Sequence, residues 1–337
     1  MEPELIKHLK RIAVICDAMT RHDAWREDAL TGRYYDYMAA FDQDYWTFTH
    51  YLSLQLYRET SGLLQDTALQ IRRLPRIGIV VAVHEPDPVL LKRSLVSACR
   101  QVGVDTHVYL SLDGLAGKRH TVECILAEIK APTGMITILS HPENRGVGLC
   151  RNAALKQLSE EWFTFLDCDD IFHPLRLLHG WLAARSLNVE WLTTGCSRVS
   201  IEKRKIYLVQ QCLSATGYNS FLANRTVLRD YGYFANLRYW EDSEYMNRLR
   251  HFGASMNSCT AVGHYANTEI SRTKQSLGSR WRTEAHEVVG HPYLCGTIMA
   301  EIDDETKKLR DQYTELYKSL DRKNLAATFP PEGGIIY

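Results

Sequence analysis

The 337-residue chain has no apolar run approaching the roughly 20 residues that span a bilayer, no CxxC pair among nine cysteines, and no excess of either charge sign, with 40 Lys and Arg against 40 Asp and Glu. The first absence argues against a membrane-spanning helix. The second, with an odd number of scattered cysteines, fits free thiols in a reducing compartment better than a disulfide framework. The third leaves no global basic field for nucleic acid and no acidic tail, so any anion site must be local. The N-terminus also lacks a secretory apolar region and cleavage pattern. These absences predict a cytoplasmic protein that does not bind nucleic acid, with any membrane contact peripheral, at the inner face. What is present is a globular composition, 45% apolar, long enough for one large domain or two ordinary ones.

Residues 1–72 lack a strand-turn-helix rhythm. Tyr34, Met38, Phe41, Tyr45, Phe48, Leu52 and Leu56 recur at steps of three and four, the spacing of a packed helical face. Such a stripe fits a core more often than a carbohydrate surface. Ile12 to Cys16 fits either a strand or a helical turn. From Pro75 the rhythm is regular. Strands are expected at Ile77–Val83, His107–Leu112, Met135–Leu139 and Trp162–Leu166, and helices at Val89–Cys99, Thr121–Ile129 and Leu149–Leu158. That alternation predicts an α/β fold with a mostly parallel, Rossmann-like sheet flanked by helices, whose ligands gather at the carboxyl ends of the strands. Polar residues do cluster there: His84 and Glu85, Asp113, Asn144 and Arg145, then Asp167, Asp169 and Asp170. After a helix to about Asn188 and a strand at Glu190–Thr194, the pattern loosens. Strands are expected at Lys205–Leu213 and Met256–His264, helices at Asn224–Tyr231 and Asp242–Phe252, a charged amphipathic helix at Glu301–Leu320, and a loose tail over 324–337.

Three carboxylates within four residues at a strand end suit a divalent cation and the phosphates it bridges. Read alone, they suit a capped acidic turn equally well. Asp167 and Asp169 alternate along extended backbone and leave on one face, with Asp170 on the other. Asn144 to Gly148 enters a helix, where free N–H groups can meet a phosphate. Glu241 and Asp242 open another helix, and neighbouring helical residues diverge by about 100°, so one of them would face a reacting centre. The bland alternative is two acids placed to favour the helix macrodipole.

The succession VVAVHEPDP from Val80, SLDG at Ser111–Gly114, NRGVGLCRNAAL at Asn144–Leu155, FLDCDD at Phe165–Asp170 and WEDSEYMNRLRHFG at Trp240–Gly253 resembles the inverting family 2 glycosyltransferases of GT-A fold over about residues 76–281. The resemblance implies a GT-A domain at 73–285, preceded by a helical extension at 1–72 and followed by a helical segment and tail at 286–337. It implies a nucleoside-diphosphate sugar donor, a glycan or lipid-linked glycan acceptor, and Mn²⁺ or Mg²⁺. It places the nucleobase at Val81 to Glu85, with Val81, Val83 and Glu85 in contact, the base or ribose at Asp113, and the rest of the nucleotide near Gly148 and Arg151. Asp167 is expected near the ribose or a metal-bound water, Asp169 on the metal, His264 as a further metal or diphosphate ligand, and Asp242 as the general base. Gln275 with Arg280-Trp281 is similar to the QxxRW element of processive members, but four residues intervene instead of two, which weakens any reading of processivity. Arg272 and Lys274 are candidates to cover the diphosphate. Two other functions share parts of this pattern. A sugar-nucleotide nucleotidyltransferase also uses an α/β sheet and Mg²⁺, though HEPDP is no Gly-rich loop, and a non-catalytic domain could bind sugar nucleotide or glycan within a larger assembly.

Overall fold

The computed structural model describes residues 2–20, 50–114, 119–200, 203–209, 215–237, 240–267, 279–284, 294–302 and 304–334. Leu9, Ile12, Cys16 and Met19 are all buried at helical spacing, and they sit on one helix, α1 (Glu2–Thr20), so the ambiguous run Ile12–Cys16 is its middle. Helix α2 (Leu54–Thr67) packs on it, with Ser61 Oγ donating to Asp17 Oδ1 at 2.5 Å. Of the aromatic and leucine stripe, Leu52 and Leu56 are buried; Tyr34 to Phe48 lie outside the described residues.

Strand β1 (Arg76–Val83) is buried on both faces because a β-branched run fits a strand covered on each side. Pro88 then opens α3 (Pro88–Cys99), where Asp87 Oδ1 accepts from the N–H groups of Val89 and Leu90 at 2.9 and 3.1 Å. The alternation continues through β2 (Asp105–Leu112), α4 (Arg119–Ile129), β3 (Ile136–Ser140), α5 (Val147–Lys156) and β4 (Trp162–Phe165). β1 pairs in parallel with β2 and β4, and β2 with β3, so Val83, Leu112, Ser140 and Phe165 end on one edge. That parallel half is the one expected from the sequence.

The second half runs β5 (Ile171–Phe172), α6 (Arg176–Leu187), β6 (Trp191–Ser200), β7 (Lys205–Val209), β8 (Ala215–Asn224), α7 (Thr226–Tyr231), α8 (Glu241–His251), β9 (Met256–Asn267), β10 (Ser279–Glu284), β11 (Leu294–Ile302), α9 (Asp304–Ser319) and α10 (Leu325–Thr328). The strand order is β10-β11-β7-β6-β8-β4-β1-β2-β3, with β9 beside β5 and β6. β8 was not expected: a glycine and two asparagines depress strand propensity, and pairing to β4 and β6 on its two sides overrides it. The sheet is thus mixed, turning antiparallel at β4–β8. No helix among the described residues is long and apolar enough to cross a membrane, and the described cysteines are free thiols.

Two cores flank the sheet. One lies between it and α1, α2, α3 and α6; the other gathers Phe163, Phe165, Phe221, Phe234, Tyr245, Leu325 and Phe329. The last two correct the expected loose tail. Leu325 and Phe329 are fully buried, and the Phe329 carbonyl accepts from the Tyr233 N–H at 2.8 Å, so residues 324–334 are docked. Phe329→Ala is expected to lower the unfolding free energy by about 3–5 kcal/mol in urea titrations, where a loose tail would leave the midpoint unchanged.

Candidate active site

Asp113 closes β2 almost fully buried. Its Oδ1 accepts from the Arg145 N–H at 2.6 Å and its Oδ2 from the Gly146 N–H at 3.0 Å. Gly146 takes φ 84° to make this turn, a conformation that strains other residues. The Asp113 carbonyl is 2.9 Å from His84 Nδ1; since a carbonyl only accepts, Nδ1 carries the hydrogen and Nε2 accepts from Asn144 Nδ2 at 3.1 Å. Asn144 Oδ1 in turn accepts from Gly146 N–H at 3.1 Å. This ring joins the exits of β1, β2 and β3 into one preorganised edge. Glu85 stands exposed on its rim at φ 50°. Val81 and Val83 do not face it: both side chains are fully buried in the core behind the sheet, so only their backbone could meet a nucleobase. Burial, then the adjacent Asp113, pushes the Cys150 thiol up to about 12, which removes it as a nucleophile.

Arg151 lies one turn into α5. Its side chain is 9% exposed, with Nη1 2.8 Å from Glu241 Oε1 and Nη2 3.2 Å from Asp167 Oδ1, and its guanidinium lies 5.1 Å from the Phe165 ring centre and 5.7 Å from that of Phe234. Arg151 therefore bridges two carboxylates. Glycine at 148 permits the approach, because an added Cβ would come within 3.2 Å of Glu241 Cγ. Asn152 latches the following loop, with Nδ2 donating to the Phe234 carbonyl and Oδ1 accepting the Phe234 N–H, both at 2.9 Å. Burial, reinforced by the neighbouring Asp242 and opposed by Arg151, raises the Glu241 carboxyl above the usual range. Burial also raises Asp242, with Arg151 as the main opposing influence. Asp242 is half-buried and lines a narrow crevice, with free space of only about 10 Å³, together with Arg151, Phe165, Phe221, Phe234, Tyr245 and Met246.

The aspartates separate by role. Asp167 is 39% exposed on its side chain, and Asp169 is half-buried beside it. Asp170 turns inward: Oδ2 lies 2.7 Å from His264 Nε2, and Oδ1 accepts from the Asn267 N–H at 2.9 Å. His264, expected as a metal or diphosphate ligand, is fully buried on β9 with Nε2 engaged by Asp170 and its ring edge-on to Phe172. Among the described residues no three His, Cys, Asp or Glu side chains converge on a metal position. Asp167 and Asp169 still fit Mg²⁺ or Mn²⁺, which take one or two carboxylates and complete their shell with water and substrate phosphates. Arg272, Lys274 and Gln275 lie outside the described residues, and Arg280-Trp281 sit on β10.

Residues 79–238, just under half of the chain, match the family model described as glycosyl transferase family 2. This domain belongs to that family. No curated protein matches the chain. Among solved structures, S. aureus TarS 1–349 is similar at 18% identity over 57% of this chain and 60% of that one, with a TM-score of 0.46. Its complex with UDP-GlcNAc gives 16% identity, 60% and 61% coverage and a TM-score of 0.48, and its complex with UDP gives 17%, 59%, 62% and 0.46. The chain spans about three fifths of the length of these structures.

The matched family 2 segment stops before α8, so the Glu241-Asp242 pair is joined to the glycosyltransferase domain by contact, chiefly through Arg151. Sequence reading missed that bridge: it aimed Arg151 at the nucleotide, and nothing in the 90 residues separating it from Glu241 announces the contact. It also passed over Asn144 and His84 as a clasp. Arg151→Met strands two carboxylates, one of them buried, and is expected to cost about 3–5 kcal/mol of stability, read by denaturant unfolding at neutral pH.

Proposed function

We propose that the chain is a metal-dependent inverting glycosyltransferase that moves a sugar from a nucleoside-diphosphate donor to a hydroxyl of a glycan or lipid-linked glycan. The observation that carries this reading is the division of labour between adjacent acids. Glu241 is held by Arg151, while Asp242 borders the aromatic crevice. The nucleotide lies along the Asp113 edge, near His84, Glu85 and the Asn144–Gly148 turn, with its diphosphate toward Asp167 and Asp169. Those two residues would hold Mg²⁺ or Mn²⁺, which supplies positive charge to the nucleotide leaving group. Asp242 removes the proton from the acceptor hydroxyl as its oxygen attacks the anomeric carbon from the face opposite the departing diphosphate. The phenylalanine walls keep that region poor in water, and Arg151 favours the ionised form of Asp242 against the larger, opposing effect of burial.

A base must be deprotonated to work, so activity rises with pH through the Asp242 titration. Burial places that limb above the ordinary aspartate range, and weakening Arg151 moves it higher still. In a panel of nucleoside-diphosphate sugars with Mn²⁺, Asp242→Asn is expected to lower transfer about 10²–10⁴-fold while leaving the thermal shift by nucleoside diphosphate in place. Release of pyrophosphate from a nucleoside triphosphate and sugar phosphate would instead mark a nucleotidyltransferase. Turnover of no donor, with glycan binding unaffected by Asp242→Asn, would mark a non-catalytic domain. Asp169→Asn is expected to raise the Mn²⁺ concentration for half-activation about tenfold or more, and His264→Gln to leave it unchanged.

A further inference from the structure

The turn that bears Asp242 is closed by the Glu244 N–H to Trp240 carbonyl bond at 2.9 Å but has no N-terminal side-chain cap. α8 starts at Trp240, a bulky residue at φ 64° with no side-chain cap, and left-handed backbone at such a residue is strained. One turn on, Glu244 and Arg248 form a fully buried pair, Nε to Oε1 at 3.0 Å. The C-terminal segment grips this pair. Tyr317 Oη on α9 lies 2.8 Å from Glu244 Oε1 and 2.9 Å from the Glu244 carbonyl. The Phe329 ring lies 3.6 Å from the Arg248 guanidinium, which donates to the carbonyls of Tyr231 and Tyr233 at 2.9 and 2.6 Å. Arg322 donates to Tyr231 Oη at 2.8 Å. The same segment reaches α5, where Gly333 packs against Leu149 and Lys156 pairs with Glu332 at 2.6 Å. It thus touches both helices that meet at the Arg151–Glu241 bridge, although it lies outside the matched family segment.

We infer that residues 304–334 set the position of the base-bearing turn of α8, with Tyr317 as the positioning residue. The inference rests on the reading of Asp242 as base. Its mechanical half does not: Glu244 follows Asp242 by two positions, and a rigid helical turn passes any shift at Glu244 to Asp242. Tyr317 touches no reacting atom, and the donor edge at Asp113 and Asp167 is built from other elements. Losing its hydroxyl should therefore change turnover and spare donor affinity.

The test compares the intact chain with Tyr317→Phe, which keeps the ring, and with Lys156→Ala, which breaks only an exposed pair. Hydrogen exchange of residues 241–251 is expected to quicken about tenfold in Tyr317→Phe relative to 88–99. For transfer, kcat should fall about tenfold or more with donor KM and nucleoside-diphosphate affinity within about twofold, since small misplacements of a catalytic group are costly. Lys156→Ala should match the parent in both. Unchanged exchange in 241–251, a rise spread equally over both helices, or a KM increase at constant kcat would each overturn the inference. Absence of turnover by the parent chain with every donor would instead defeat the proposed function, and the exchange comparison would still decide whether Tyr317 holds α8.

Discussion

A buried cation between two carboxylates governs this site. Arg151 faces Asp167 at the end of β4 and Glu241 at the start of α8, and it does so with little access to water, where an unmatched charge is expensive. Pairing removes that cost only when both helices and the strand end stand in their observed places. The ion bridge therefore acts as a gauge of geometry: it is satisfied when the acidic loop after β4 and the turn bearing Asp242 are correctly spaced, and strained otherwise. Its proximity to Asp242 also ties the ionisation of the proposed base to the same contact.

The remaining structure supplies that spacing. Parallel strands β4, β1, β2 and β3 bring Phe165, Val83, Leu112 and Ser140 to one edge, and the ring of hydrogen bonds through His84, Asp113, Asn144 and Gly146 fixes the loops that leave it. On the other side, the aromatic cluster of Phe165, Phe221, Phe234 and Tyr245 carries α8, with the Phe234 and Tyr245 rings stacked at 4.5 Å. Asn152 connects the two by binding both polar groups of Phe234. The Asp113 edge and the turn bearing Asp242 are thus separate constructions that meet at one guanidinium.

Local chemistry made the first half of this legible. A β-branched run bounded by prolines, an Asp-Gly turn and an acidic strand end each state their conformation within a few residues, and β1 to β4 lie within a residue or two of where periodicity puts them. Local sequence is silent where long-range pairing decides. β8 is a strand because β4 and β6 flank it, against its own asparagines and glycine. His264 carries no local sign that Asp170 will claim it across 94 residues. Val81 and Val83 point inward because alternation leaves one side of β1 facing the helices. The tail over 324–334 looked loose from its prolines and glycines, yet Leu325 and Phe329 fill the second core, and Gly333 is needed for close contact with Leu149. The likeness of residues 79–238 to glycosyl transferase family 2 was readable from ordered motifs; the partner of Arg151 was not.

In the proposed mechanism Asp242 alone removes the proton and Glu241 stays tied to Arg151, so among the described residues of this turn no second carboxylate is left to form a covalent glycosyl intermediate. The anomeric configuration of the first-formed product tests this most directly. Following transfer by ¹H NMR from a donor of known anomeric form, the account predicts the opposite anomer in the initial product. An initial product with the donor's own configuration would contradict it.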